Sequence, residues 1–305
     1  MRLLISLLFT SLVGFISPVA SAGAFDFPGF AVREIKADGA TIHTRVGGSG
    51  PAVVLLHGYG ETGDMWVPLA VELAKDHTVI VPDLRGLGLS SKPAGGFDKK
   101  TQAGDVDAVL AALNVKQADV VAHDIGNMVA FQFAVQNPDM VHQLVLIDAP
   151  VPGVGPWDEI LKNPLLWHFR FGGPDMERLV AGRERIYLDR FWNEFSADPA
   201  RFTENARRHY AALYARPRAM HSGFAQFAAF DQDAADNRQF LASGGRLKMP
   251  VLAVGGEKSF GPMMATVMRA AADNVTEGIV PGSGHWIMEE NPQATTAIVR
   301  AFLSR

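Results

Sequence analysis

Runs of apolar residues predict eight β-strands along the chain. Two segments after Pro28, 30–35 and 41–46, alternate apolar and polar residues, as strands with one covered face do. Continuous apolar runs follow, which are typical of parallel strands buried on both faces. These runs cover residues 51–56, 77–81, 119–122, 141–147, 249–255 and 274–280. Helical patterns separate most of them, so the sequence predicts an α/β fold on a doubly wound, mostly parallel sheet.

The pattern changes between residues 151 and 245. Proline and glycine mark the entry, helical spacing follows with many aromatic residues, and no strand pattern is found there. We therefore predict an all-helical cap (151–245) inserted between two parts of the core, 23–150 and 246–305. Most of the aromatic rings are expected to pack inside the cap itself.

The first 22 residues have the parts of a secretory signal peptide. A basic start, Met1-Arg2, precedes an apolar run over 3–13 and an Ala20-x-Ala22 ending. A membrane anchor is the alternative, but the run is short for a membrane span and Gly14 and Pro18 interrupt it. We expect cleavage after Ala22 and a secreted or periplasmic protein. The chain has 0 cysteines, so it needs no oxidative folding after export.

Composition excludes several classes of partner. The formal net charge is -4, which offers no electrostatic attraction to nucleic acid or to an anionic membrane surface. The histidines are scattered without the spacing of metal ligands, so no metal and no cofactor is expected. A homo-oligomer is compatible with the sequence, which does not determine the oligomeric state.

Asp124 stands at the turn between a predicted strand and a predicted helix. The strand ends at Ala122, the helix starts at Gly126, and both of these neighbours are small. This is the pattern of a nucleophile elbow, a strained turn in which backbones crowd around one reactive side chain. A carboxylate at its apex forms an ester by attacking a saturated carbon.

An ester intermediate needs a base to activate water, and His285 is the candidate. It lies in a Gly-Ser-Gly-His loop between the last strand and the last helix, where chains with such an elbow carry their histidine. A solvated loop histidine is the alternative. The relay carboxylate that orients the histidine is predicted to be Asp148, with Glu257 as the weaker candidate. Asp148 could otherwise be a turn-forming residue before Ala-Pro.

The tetrahedral intermediate of ester hydrolysis requires oxyanion donors. Backbone N–H groups of Ile125, after the nucleophile, and of Tyr59, after His57-Gly58, are the candidates. His57 itself is expected to bond the loop backbone.

Five motifs together resemble the epoxide hydrolase and dehalogenase branch of the α/β-hydrolases, and within it the secreted Cif-like epoxide hydrolases. They are His57-Gly58-Tyr59-Gly60-Glu61-Thr62, Pro82-Asp83-Leu84-Arg85-Gly86-Leu87-Gly88-Leu89-Ser90, Val121-Ala122-His123-Asp124-Ile125-Gly126, Asp148-Ala149-Pro150 and Gly284-His285-Trp286. The resemblance runs from about Phe25 to the end and includes Leu166-Trp167-His168-Phe169 in the cap.

The resemblance implies the α/β-hydrolase fold and a cap that supplies the acid for epoxide opening. In the Cif-like group this acid is a histidine with a tyrosine, and His168 matches the histidine. The aligned tyrosine position holds Phe227, so Tyr214 or Tyr210 is the candidate partner. Trp167, Phe227 and Trp286 are expected to line the substrate pocket.

The sequence thus predicts a hydrolase that opens a small apolar epoxide to a vicinal diol through an ester on Asp124. A haloalkane or haloacid dehalogenase with the same Asp-His-Asp groups is the first alternative. Dehalogenases of this branch usually carry Trp or Arg after the nucleophile, and Ile125 matches neither. A catalytically silent hydrolase fold that binds ligands is the second alternative.

Overall fold

A computed structural model describes residues 23–305, which form one eight-stranded sheet flanked by helices. The predicted signal peptide, 1–22, lies outside the described residues. The strands are β1 (Ala31–Ala37), β2 (Ala40–Gly48), β3 (Ala52–Leu56), β4 (Thr78–Pro82), β5 (Ala118–His123), β6 (Val141–Ile147), β7 (Val251–Gly256) and β8 (Val275–Val280). Their order in the sheet is β1-β2-β4-β3-β5-β6-β7-β8. The pairs β1–β2 and β2–β4 are antiparallel, and the others are parallel.

The central strands are apolar because helices cover both of their faces. Every residue of β5 and of β7 is buried, whereas β1 at one edge is mostly exposed. All eight predicted strands are present, and the predicted fold class is confirmed.

Helices of the core pack on both faces of the sheet, and those of the cap follow one another between β6 and β7. The core helices are α1 (Val67–Leu73), α2 (Lys99–Ala112), α3 (Ile125–Gln136), α10 (Met263–Arg269), α11 (Ile287–Glu290) and α12 (Pro292–Leu303). The cap helices are α4 (Trp157–Ile160), α5 (Pro174–Val180), α6 (Glu184–Glu194), α7 (Glu204–Tyr214), α8 (Ala219–Ala228) and α9 (Phe230–Ala242). Three 3₁₀ segments complete the set: Gly63–Trp66, Pro138–Met140 and, in the cap, Pro164–Arg170. Within residues 23–305, no helix combines the length and the apolarity that crossing a membrane requires.

A buried ion pair joins the cap to the core. Lys99 at the start of α2 lies 3.3 Å from the Asp233 carboxylate of α9, and both side chains are 1% exposed. The Lys99 ammonium also donates to the carbonyl oxygen of Gln226 on α8. Because charges so deeply buried are costly unless fully paired, these bonds hold α8 and α9 in one position over the sheet.

The turns at the carboxyl ends of four strands bring the predicted site residues to one edge of the sheet. Tyr59 follows β3, Asp124 follows β5, Asp148 follows β6 and His285 follows β8. This edge is where parallel α/β sheets bind ligands, and the cap lies over it.

Gly126 allows α3 to start against the end of β3. A Cβ at this position would lie 2.4 Å from the carbonyl oxygen of Leu56 and 2.8 Å from that of His57. Both contacts are backbone atoms of a buried strand end, which cannot move aside.

We predict that Gly126→Ala lowers the free energy of unfolding by about 2–3 kcal/mol through this overpacking. Gly104 is the matched control, because it is exposed in α2 and a Cβ there meets nothing within 4 Å. Gly104→Ala should raise stability by up to about 1 kcal/mol through helix propensity. Urea unfolding measures both variants, and equal stability of Gly126→Ala and the unmodified protein would contradict the close approach.

Candidate active site

Asp124 sits at the apex of a sharp turn between β5 and α3. Its backbone has φ 52° and ψ −121°, a conformation that is strained for any residue with a side chain. Gly58 makes room for it, since a Cβ there would lie 2.5 Å from the Asp124 Cβ. The Asn127 side chain links the turn to the end of β6 by two hydrogen bonds with the backbone of Ile147 and one to the carbonyl of Ala149. The turn thus holds the carboxylate out from the edge of the sheet.

Two backbone N–H groups face the Asp124 carboxylate. The N–H of Tyr59 donates to its Oδ1 at 2.7 Å. Burial alone would raise the pKa of Asp124, but nearby His285 and the N–H groups of Tyr59 and Ile125 hold it below its usual range. Asp124 is therefore ionised at neutral pH, and the same two donors are placed for an oxyanion on its carboxyl carbon.

His285 lies beside this carboxylate and is oriented by Asp148. Its Nε2 is 3.7 Å from Oδ2 of Asp124, and its Nδ1 donates to Oδ2 of Asp148 at 2.9 Å. The other oxygen of Asp148 accepts bonds from the N–H groups of Gly256 and Phe260. Asp148 is fully buried and, like Asp124, has a positive φ of 51°.

Glu257 is not part of this arrangement. Its exposed carboxylate binds the N–H of Gly282 and the ammonium of Lys258. The structure thus favours Asp148 for the relay position and leaves Glu257 on the surface.

The charge of Asp124 helps to keep His285 protonated. Burial alone would lower the pKa of His285, but the bond to Asp148 and the charges of Asp124 and Asp148 raise it to about 9. Esterification would remove the charge of Asp124, and the pKa of His285 would then fall. A histidine that is cationic before the ester forms would thus become neutral afterwards and able to accept a proton.

The two catalytic candidates are not completely buried. The Asp124 and His285 side chains keep 18% and 12% of their surface exposed, although the cap covers this edge of the sheet. Rings of His168, Phe195 and Phe227 pack around this part of the cap. The surroundings of the carboxylate on the cap side are therefore mainly apolar.

His168 lies in the cap within that aromatic cluster. Its ring centroid is 4.9 Å from that of Phe191 and 5.1 Å from that of Phe227, and its Nδ1 forms no hydrogen bond of good geometry within residues 23–305. Burial lowers its pKa to about 4, with the charge of Asp124 acting in the opposite sense. His168 is therefore neutral at pH 7 and can offer an N–H bond without carrying a charge.

The hydroxyls of Tyr214 and Tyr210, the two predicted partners of His168, are committed elsewhere. The Tyr214 hydroxyl accepts from the N–H of Gly60 and donates to the carbonyl of Glu61. The Tyr210 hydroxyl donates to Glu289 at 3.3 Å. The structure therefore supports neither tyrosine as the partner of His168, because both serve the packing of the 57–62 loop and of α11.

The three predicted pocket residues differ in position. Phe227 touches His168 and the ring of Tyr59, and Trp286 packs edge-on against His285. The Trp167 ring also reaches this cluster, but its N–H points to Glu194 at 3.4 Å. Trp167 can thus shape the space, while its indole N–H is directed away from Asp124.

A cluster of ionisable groups behind His285 was missed by the sequence analysis. Glu61 has no exposed surface, and its Oε2 is 3.4 Å from Nδ1 of His123, whose Nε2 donates to the carbonyl of His285. Burial raises the pKa of Glu61 to about 7 and that of Glu289 well above its usual value. Glu61 and His123 stand within the quoted motifs, but only the packing places the Glu61 carboxyl beside that of Glu289, in surroundings that raise the pKa of both.

Metal chemistry has no candidate ligands in the described part of the chain. Among residues 23–305 no group of three or more histidine, cysteine or carboxylate side chains could hold a metal ion. A carboxylate, two oxyanion donors and an oriented histidine together can form and hydrolyse a covalent ester.

Comparisons with known proteins agree with this geometry. Residues 51–292 match the family model of the alpha/beta hydrolase fold. A soluble epoxide hydrolase from Corynebacterium sp. (strain C12) is 33% identical over 264 residues, covering 84% of this chain and 91% of the relative. A fluoroacetate dehalogenase from Burkholderia sp. is 29% identical over 301 residues, covering 91% and 95%. A crystal structure of an aCif variant superposes with a TM-score of 0.86 at 25% identity, covering 92% of this chain and 91% of that one.

We predict that Asp148→Asn slows turnover of an epoxide by roughly 10³- to 10⁴-fold, because an amide no longer fixes the tautomer and stabilises the cation of His285. Glu257→Gln is the matched control and should change the rate by less than about twofold, because this exposed carboxylate bonds Gly282 and Lys258 and not the histidine. Steady-state rates with styrene oxide measure both, after thermal unfolding has shown that each variant folds. A large loss in Glu257→Gln together with a normal rate in Asp148→Asn would reverse the assignment.

Proposed function

The chain belongs to the alpha/beta hydrolase fold family, in its epoxide hydrolase and dehalogenase branch. From this membership we propose that the protein opens an epoxide to a vicinal diol. The observation that carries the proposal is the ionised Asp124 carboxylate, 2.7 Å from the Tyr59 N–H and 3.7 Å from Nε2 of His285, under a cap that offers His168.

In the first half of the reaction, an oxygen of Asp124 attacks a ring carbon and the C–O bond of the epoxide breaks. Negative charge develops on the ring oxygen, and an N–H bond from His168 stabilises it. The product is an ester between Asp124 and the opened substrate. Its ring oxygen takes a proton from a donor of the site and becomes the new hydroxyl, and His285, which no longer faces a charged Asp124, releases its proton to solvent.

In the second half, His285 removes a proton from water, which attacks the carboxyl carbon of Asp124. The N–H groups of Tyr59 and Ile125 receive the oxyanion, and Asp148 stabilises the cation of His285. Collapse of the tetrahedral intermediate releases the diol and regenerates the carboxylate. Loss of the Asp124 charge in the ester lowers the pKa of His285 from about 9, which provides a neutral base at the step that needs one.

The aromatic surroundings favour a small, mainly apolar epoxide. Phe191, Phe195 and Phe227 offer hydrophobic surface next to His168 and no charge to bind an ionic substrate. A dehalogenase would have to hold the leaving halide with hydrogen-bond donors. Ile125 offers no side-chain donor next to the nucleophile, and the Trp167 N–H points to Glu194. His168 is then the cap donor that could hold a halide, so this alternative has less support.

We predict that His285→Gln, incubated with styrene oxide, gains one whole epoxide in mass on Asp124. The ester accumulates because the variant has lost the base for its hydrolysis. Intact mass spectrometry and peptide mapping detect it, and Asp124→Asn with His285→Gln is the control that cannot be alkylated.

Fluoroacetate is the competing probe in the same experiment. An adduct of the acid without fluorine, with fluoride release and no epoxide adduct, would replace our proposal by a dehalogenase. No adduct with either probe and no turnover by the unmodified protein would leave a ligand-binding hydrolase fold.

We also propose that the protein is exported, on the evidence of its first 22 residues. Expression of the whole chain in a Gram-negative bacterium should give a periplasmic or secreted protein whose intact mass corresponds to a chain that begins at Gly23. Retention of Met1 in a cytoplasmic or membrane fraction would contradict cleavage.

A further inference from the structure

Position 227, where a second cap donor to the epoxide oxygen was expected, is a phenylalanine and has no hydroxyl. Phe227 on α8 packs 5.1 Å from His168, edge-on, where a tyrosine could have reached the same space. His168 is neutral and so provides a hydrogen bond but no easily lost proton. Charge on the opening ring oxygen therefore requires another donor.

Tyr59 reaches the same cluster from the core. Its ring lies 4.8 Å from Phe227 at an angle of 75°, while its own N–H binds Asp124. The side chain is 3% exposed, and within residues 23–305 its hydroxyl forms no hydrogen bond of good geometry, with the Tyr187 hydroxyl as its polar neighbour. A buried hydroxyl without a well-formed bond is costly, so it can gain from an acceptor atom on a ligand.

Gly223 on α8 is shaped to admit this ring. A Cβ there would lie 2.8 Å from Cε2 of Tyr59 and 3.4 Å from its hydroxyl oxygen. Any other residue at position 223 would push against the tyrosine. The cap thus carries a glycine facing Tyr59 and, one helical turn on, the phenylalanine that contacts its ring.

Tyr187 can orient the Tyr59 hydroxyl through a hydrogen bond between the two hydroxyl groups. Its own hydroxyl is buried, forms no bond of good geometry among the described residues 23–305, and lies close enough to the Tyr59 hydroxyl to raise the pKa of Tyr59. Burial and these neighbours raise the pKa of Tyr59 well above its usual range, so the group is protonated at neutral pH. Because hydroxyl hydrogens rotate, Tyr187 can donate to Tyr59 and leave the Tyr59 proton for a substrate.

We propose that the Tyr59 hydroxyl is the second ring-opening donor, acting with His168 in place of a cap tyrosine at position 227. This inference rests on the proposed epoxide-opening function. As the Asp124 oxygen bonds to the ring carbon, the electron pair of the breaking C–O bond moves to the ring oxygen. That oxygen takes the proton of Tyr59, and the tyrosinate regains a proton when hydrolysis of the ester releases one from the regenerated carboxyl group. Tyr59 thereby acts in both halves of the reaction. Its hydroxyl acts in ester formation and its backbone N–H in ester hydrolysis.

The test measures ester formation alone, by mass spectrometry, in protein that carries His285→Gln and is mixed with styrene oxide. Tyr59→Phe keeps the ring and the backbone N–H and removes only the hydroxyl. We expect it to slow ester formation by about 100-fold. Adding Phe227→Tyr should recover at least about tenfold, because it returns a hydroxyl from the cap side. Such a rescue is not expected of a residue with a structural role.

Tyr187→Phe is the matched comparison and should cost less than Tyr59→Phe. An unchanged rate in Tyr59→Phe, or a larger loss in Tyr187→Phe, overturns the proposal. Ester hydrolysis is measured separately, in Tyr59→Phe protein that keeps His285. If Tyr59→Phe slows ester formation and ester hydrolysis equally, the variant has a structural defect and the proposal is also overturned. If the parent His285→Gln protein forms no epoxide adduct, the proposed function fails instead, so the two failures are distinguishable.

Discussion

The strained backbone at Asp124 is the constraint on which the site depends. A residue with a side chain at φ 52° costs about 1–3 kcal/mol and persists only where its surroundings hold it. Gly58 and Gly126 leave the space that the turn needs, and Asn127 ties it to the end of β6. Since β6 leads directly into Asp148, the same bonds that hold the nucleophile also place the relay carboxylate.

The cap takes part in positioning the base as well as in covering the site. The N–H of His285 donates to the carbonyl of Phe195, and the Glu290 carboxylate accepts bonds from Ala197, Asp198 and Gly284. The segment after α6 is therefore attached to the histidine loop. A movement of this segment would displace His285 and change the rate of ester hydrolysis, although none of these cap residues bonds to Asp124.

Burial acts on both histidines of the site, yet their pKa values shift in opposite directions. It lowers the pKa of each, but His285 is hydrogen-bonded to Asp148 and faces Asp124, so its pKa rises to about 9. His168 has no such carboxylate bond, and its pKa falls to about 4. The site thus contains a cationic histidine beside the nucleophile and a neutral histidine in the cap, a difference set by the positions of two carboxylates.

The sequence by itself determined the strands, the elbow and the loop of His285, because each depends on local periodicity or on a short motif. It also predicted the position of Asp148, since the end of a parallel strand predicts the edge at which a side chain lies. Only the tertiary structure decided the donors of the cap and the groups behind the base. The engagement of Tyr214, the direction of the Trp167 N–H and the pairing of Glu61 with Glu289 arise from contacts between distant segments. The place of Tyr59 against Gly223 is of the same kind, because two side chains far apart in the chain meet only when the cap folds onto the sheet.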